Sequence, residues 1–342
     1  MTSSPEKPPR EIVKTVLRGM CMGVADAIPG VSGGTIALIL GFYDRLIDSI
    51  ADVIRLIRFP ADRGARRNFL RAVSFLVPLA AGIGTALFVA TRFLVGKTYA
   101  GEVSLLEMTL TEGRGFLELF PPSGLLINPK TAPYVFAFFF GLVFWSIREP
   151  WSKRREVKPL DPLLFLLGAI PPAALVVLPG LQIPIHPVTL LGAGALAISV
   201  MLLPGISGSL ALLVIGMYQP VSSAVHERDF PTLVVFALGM LAGLLIFIPI
   251  LRRILHRYHD RTMAVLAGLM GGSLLALWPW KAHYMPKLIP RWGNMSPQLP
   301  ENWGTVLGCL LMAAIGGVVI AFAGKLAPPE PIREETPAAN AP

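Results

Sequence analysis

Two interruptions of the same kind break apolar surroundings 175 residues apart: Ile28-Pro29-Gly30-Val31-Ser32-Gly33-Gly34-Thr35 and Leu203-Pro204-Gly205-Ile206-Ser207-Gly208-Ser209-Leu210. Proline and glycine stop helices, and here they do so between flanks apolar enough for a membrane. The match stays in register through Leu38 and Leu213, Gly41 and Gly216, and Tyr43 and Tyr218, which predicts a duplicated structural unit. Broken helices at corresponding places in two halves of a membrane protein point to its transport site.

Composition agrees with a membrane setting. Across 342 residues, 54% are apolar and only 15% charged, and several stretches approach bilayer length. The formal net charge of +9 would suggest nucleic acid in a soluble protein. Here the basic residues lie between apolar segments, where they set topology, so no nucleic-acid partner is expected. Residues 1–11 are polar with no compact apolar core behind them, so no removable signal peptide is expected, and 327–342 are rich in Pro, Ala and Glu; both read as disordered tails. Cys21 and Cys309 read as small apolar residues. His186, His226, His256, His259 and His283 fall in loops or at span ends, without metal spacing, and there is no Walker loop. No metal, cofactor or ATP drive is expected, and no motif specifies an oligomeric state.

The expected architecture is an all-α polytopic membrane protein made of two inverted-topology repeats, each a re-entrant helical hairpin plus about three transmembrane helices. Repeat one, 12–182, holds hairpin 13–50 and spans 72–95, 132–148 and 160–180. Repeat two, 183–326, holds hairpin 188–225 and spans 231–251, 262–280 and 303–325. The hairpin arms, about 13–28 with 33–50 and 188–203 with 207–225, are nearer sixteen residues than the ~20 that a straight span needs, which is the argument for re-entrance over full crossing. Non-helical backbone at membrane depth must be enclosed by protein or a wet cavity, so both breaks should be internal. With both termini cytoplasmic, the inside segments carry twenty-one Lys and Arg and the outside segments seven, as the positive-inside rule requires. Three spans between the hairpins make the second enter from the opposite face. Leu79-Ala80-Ala81-Gly82 against Met240-Leu241-Ala242-Gly243, and Pro150-Trp151 against Pro279-Trp280, repeat in the same order. In the long external loop 96–131, Phe116, Leu117, Leu119 and Phe120 form a candidate membrane-surface segment, as readily an ordinary loop.

A Pro-Gly-x-Ser-Gly break leaves backbone N–H groups that can converge on one spot, which favours an anion. The candidate substrate-binding residues are Ser32, Gly33, Gly34 and Thr35 in the first turn and Ser207, Gly208 and Ser209 in the second, with Arg45 as a bidentate phosphate contact. The competing reading is close helix packing by small residues, which explains one such motif more readily than two. Asp26, an intramembrane acid answered by Met201 in the second repeat, is the candidate through which a proton or sodium gradient would be coupled, or else the partner of Arg18, Arg45 or Arg92. Arg92 reads more simply as snorkelling to the interface, and Tyr43 and Tyr218 as portal or interfacial rings.

The run Ala25-Asp26-Ala27-Ile28-Pro29-Gly30-Val31-Ser32-Gly33-Gly34-Thr35 closely resembles the PopT-type family of bacterial polyprenyl-phosphate translocases, long labelled a domain of unknown function. The resemblance extends over residues 11–326 and includes Pro204-Gly205-Ile206-Ser207-Gly208. It implies return of undecaprenyl phosphate from the outer to the inner leaflet of the cytoplasmic membrane, renewing the carrier for peptidoglycan and other envelope polymers. It also singles out Asp26, Ser32, Gly33, Gly34 and Thr35. The second motif has Ser209 and Leu210 where the first has Gly34 and Thr35, so unequal cradles are expected. Two rivals differ in chemistry. A BacA-type undecaprenyl pyrophosphate phosphatase uses a Pro-Gly-x-Ser-Arg-Ser-Gly turn and paired glutamates, and this chain lacks that Arg and those acids. A small-anion channel of the CLC type also binds its ion at broken helices, in that family with a Gly-Ser-Gly-Ile-Pro turn.

Overall fold

The computed structural model describes residues 9–26, 31–95, 130–177, 181, 183–281, 297–300 and 302–326. Both tails and the candidate surface segment around Phe116 lie outside the described residues. Among the described residues the only β pairing is one isolated bridge, Lys281 to Pro297, and the rest of the regular structure is helical. The first half contains α1 (Pro9–Asp26), α2 (Gly33–Ile39), α3 (Tyr43–Arg58), α4 (Arg63–Val95), α5 (Ala132–Ser146), α6 (Arg148–Ser152) and α7 (Asp161–Val177). The second contains α8 (Pro187–Met201), α9 (Gly208–Val214), α10 (Tyr218–Glu227), α11 (Phe230–Arg257), α12 (His259–Ser273) and α13 (Trp303–Leu326).

The two broken regions fold alike. Helices α2 and α9 are seven residues each and start at Gly33 and Gly208, positions matched by the sequence repeat. Both end at a left-handed glycine, Gly41 and Gly216, each with φ of 73°. Around Gly41, Phe42 N–H donates to Ala37 O at 3.0 Å and Gly41 N–H to Leu38 O at 3.2 Å. Around Gly216, Met217 donates to Leu212 O at 2.9 Å and Gly216 to Leu213 O at 3.1 Å. These paired bonds close the helix in a Schellman cap, which a residue with a Cβ would strain. The arms expected to run unbroken over 33–50 and 207–225 are therefore each two helices.

Of the six expected spans, three are long and apolar enough to cross a membrane: Arg63–Ala90, Phe230–Arg257 and Trp303–Phe322. The others are shorter, with α5 and α12 at 15 residues and α7 at 17. Helix α12 stops at Ser273 because the chain tightens into three-residue turns, with Ala276 N–H bonded to Ser273 O and Leu277 N–H to Leu274 O. Large apolar side chains stay exposed on α7, α11 and α13, including Leu166, Ile246 and Leu310, a surface suited to lipid.

Packing follows the duplication. Helix α1 lies along α4, and α8 along α11. Both pairs approach backbone to backbone: a Cβ on Gly82 would fall 2.1 Å from Val16 O, and one on Gly239 would fall 2.2 Å from Leu191 O. The remaining helices exchange partners between halves, α5 packing on α13 and α7 on α12. Helix α11 contains Pro249, which has no N–H for the carbonyl of Leu245. Arg58 of α3 supplies the donor instead, its Nη2 lying 2.7 Å from Leu245 O. Arg154 and Asp161 form a buried ion pair between α6 and α7, with the guanidinium 3.5 Å from the Trp151 ring centroid.

Candidate functional site

The two turns meet in the core. Val31 and Ile206 belong to the same buried apolar cluster, and Ser32, Thr35 and Ser207 are buried beside them. The last turn of α8 leaves carbonyls without helical partners. The first hairpin supplies donors to them: the single Ser32 hydroxyl proton is shared between Met201 O and Leu203 O, each 3.2 Å from Oγ, and Tyr43 OH donates to Leu202 O at 3.1 Å. In the reverse direction, Gly205 N–H donates to Thr35 Oγ1 at 2.8 Å. Gly205 itself is left-handed, with φ of 83°. Gly34 has to be glycine for this approach, since a Cβ there would fall 2.9 Å from Leu202 O and 3.3 Å from Leu203 C.

Within the first turn, Gly34 N–H donates to Ser32 Oγ at 3.1 Å, and Gly33 N–H donates to Asp26 Oδ1 at 2.6 Å. Asp26 thus reaches from the end of α1 across the break. Its second oxygen, Oδ2, is buried with no hydrogen-bond partner among the described residues, and a Cβ on Gly33 would fall 2.7 Å from it. The carboxylate engages the Gly33 amide, so that donor is not open in this arrangement. The second turn is built differently. Ser207 makes no side-chain cap; its hydroxyl lies 2.8 Å from that of Ser209, which is exposed. Asp26 has no acidic counterpart there, because Met201 stands in its place and contributes its carbonyl instead.

Of the residues singled out from sequence, Ser32, Gly34 and Thr35 contact the opposite turn directly, and Gly33 is tied to Asp26. Gly208 packs within its own hairpin, where a Cβ would meet Ala197 O at 2.9 Å. Arg45 stacks 4.3 Å from the centroid of Phe75, which packs edge-on against Phe42 at 6.1 Å. Arg18 lies 5.3 Å from the other member of this pair, Phe42. Arg18 is eight residues, or about 12 Å, along α1 from Asp26. Tyr43 is buried, not a portal ring, and its bond to Leu202 O escaped the sequence reading. The matched tyrosines after both motifs were the available signal. The side chain of Arg92 lies outside the described residues.

Comparison with known proteins bears on what such a pair of turns serves. Residues 22–106 and 125–288 match the family described as undecaprenyl phosphate translocase-like. The chain belongs to this family. It is 38% identical over 274 residues to a polyprenyl-phosphate transporter of Vibrio cholerae, covering 79% of this chain and 78% of that protein. It is 29% identical over 285 residues to a polyprenyl-phosphate transporter of Staphylococcus aureus, covering 77% of this chain and 85% of that one. No solved structure matches it. The family match begins at Met22 and so takes in Asp26 and both turns, together with the helices that enclose them.

Proposed function

We propose that this membrane protein carries undecaprenyl phosphate from the outer to the inner leaflet of the bacterial cytoplasmic membrane, returning the lipid carrier to envelope polymer synthesis. Its termini face the cytoplasm. The two regions of broken helix are re-entrant hairpins of two inverted repeats, and the lipid's phosphate head is handled where their turns meet. The observation that carries this reading is the junction itself: two matched turns, buried and hydrogen-bonded to each other, in a chain whose relatives are named polyprenyl-phosphate transporters. The exchange of partners between halves, α5 with α13 and α7 with α12, supports a two-fold relation between repeats.

The proposed mechanism follows from which donors are engaged. In the arrangement described, Gly33, Gly34 and Gly205 amides are held by Asp26, Ser32 and Thr35. A phosphate and the Asp26 carboxylate cannot occupy neighbouring positions as two anions without strong repulsion. The head therefore enters as Asp26 gains a proton or swings aside, and the freed amides and the Ser207 and Ser209 hydroxyls take the phosphate oxygens. Rocking of one repeat on the other then turns the head toward the cytoplasm while the tail stays in lipid. A pyrophosphatase would need a cation on the phosphoryl group and an acid–base pair; the turns present one carboxylate and hydroxyls.

The test is reconstitution in sealed vesicles, following leaflet-to-leaflet movement of undecaprenyl phosphate and phosphate release from its pyrophosphate in parallel. Protein-dependent flipping without phosphate release, reduced by Ser32→Ala and Ser207→Ala, is the expected result. Phosphate release would replace the reading with the enzyme, and small-anion flux without lipid movement would replace it with the channel.

A further inference from the structure

At the end of the molecule remote from the turns, α3 and α11 enclose a cavity of about 380 Å³. Its wall carries Arg55, Arg58, Arg252, Arg253 and His256, and its floor includes Ile54 and Pro249. Arg58 stands fifteen residues, or about 22 Å, along α3 from Tyr43, so this cavity is separate from the junction of the turns. The acids facing these cations are few. Asp48 accepts from Arg252 at 2.7 Å and lies 3.2 Å from His256, and Asp62 accepts from Arg55 at 2.9 Å. Asp52 lies one turn before Arg55 on α3. Among the described residues Arg58 and Arg253 have no acidic partner, and Arg58 instead holds the Leu245 carbonyl.

Exposed apolar residues flank this cationic wall, with Phe59 in the lining and the others beside it. Ile246, Ile250 and Ile254 recur every four residues on α11 and are exposed, as are Ile57 and Phe59 where α3 ends. A soluble anion has no use for that stripe. A lipid does: its phosphate accepts guanidinium hydrogen bonds while its tail lies along the isoleucines. We propose that this cavity is a second site for the phosphate head of a lipid, at the protein's basic end. The proposal rests on the transport reading for the identity of the cargo, whose head would lodge here on the cytoplasmic side.

The test is native mass spectrometry on the full chain in detergent, comparing undecaprenyl phosphate, phosphatidylglycerol and inorganic phosphate as probes. Wild-type protein is expected to carry a lipid adduct that Arg252→Gln/Arg253→Gln loses, with affinity falling about fivefold for each arginine neutralised at low salt. Arg253→Lys keeps more of it than Arg253→Gln. Preference for undecaprenyl phosphate assigns the site to the cargo, and equal binding of phosphatidylglycerol assigns it to a bilayer lipid; both support a lipid-phosphate site. Wild-type lipid binding by a double variant of unchanged melting temperature overturns the proposal, as does equal competition by inorganic phosphate. Binding is read without transport. A protein that holds lipid here yet moves none across vesicles therefore sinks the transport reading and leaves this site standing.

Discussion

Thr35→Val probes the contact between the turns with almost no change of shape. It removes Oγ1, the acceptor of the Gly205 amide at 2.8 Å, from a position that is 0% exposed. No water reaches the orphaned N–H while the turns stay together, so the substitution leaves a buried donor unsatisfied, costing about 1–3 kcal/mol. If local parting of the turns lets that amide be hydrated, the loss appears as a shift toward the parted arrangement of about 5- to 150-fold. Hydrogen exchange reads this directly, because the Gly205 amide exchanges from the open state. The assay is exchange mass spectrometry on purified protein in nanodiscs, following peptides that cover Leu202 to Ser207. Thr35→Ser, which keeps the hydroxyl, is the control and should exchange near the wild-type rate. Wild-type protection of Gly205 in Thr35→Val would refute the lock between the turns.

Three further outcomes follow from the same contacts. Gly34→Ala places a methyl group 2.9 Å from Leu202 O, so the turns must separate; a loss of about 1–3 kcal/mol and a lower melting temperature are expected, and an unchanged melting curve would show that the contact yields easily. Arg58→Met strips the donor from Leu245 O at a destabilisation of about 1 kcal/mol, and Pro249→Ala, which restores a helical N–H, should rescue it; purely additive effects in the double-mutant cycle would mean that the two do not share that carbonyl. Wild-type flipping is expected to accelerate as pH falls on the face where the lipid enters, because protonated Asp26 releases the Gly33 amide, whereas Asp26→Asn should be flat; a wild-type pH response in that variant would remove Asp26 from coupling.

Much of the helix layout was legible in residues, and the limits have physical reasons. The offset between the Pro-Gly motifs located both breaks, since few sequences stop a helix so abruptly in apolar surroundings. Gly41 and Gly216 were visible as matched positions, yet one glycine within an apolar run is tolerated in a helix, and only the left-handed φ reveals the second break. The expected span 262–280 outruns α12 because hydropathy continues through Leu277 while the backbone has already left the α-helix. Ser32, Gly34 and Thr35 stand out in the sequence, but which groups of the opposite turn they meet depends on tertiary approach across about 170 positions. The buried pairing of Arg154 with Asp161, against Trp151, has no local signature in the sequence. Arg55, Arg58, Arg252 and Arg253 read in the sequence only as a topology signal, for nothing in a linear count shows that two basic ends face each other.

On the reading that the turns take a phosphate head, their internal bonding bears on which anion they would suit. A single small anion can accept several hydrogen bonds, but only from donors that converge on its one centre, and in the closed junction the Gly33, Gly34 and Gly205 amides are each held by a different acceptor. Each neutral bond contributes about 0.5–1.5 kcal/mol net, so parting the turns for one new contact is unfavourable. A phosphate monoester offers three peripheral oxygens, and charge-assisted bonds to it contribute about 1.5–3 kcal/mol each. With Asp26 protonated, so that all three replaced bonds join neutral groups, three such bonds exceed them by a few kcal/mol, before the desolvation of the head is subtracted. The margin is small, and it shrinks further while Asp26 is ionised beside Gly33. On the proposed reading that is a useful property: the turns open for a multidentate head and close again once the head has left.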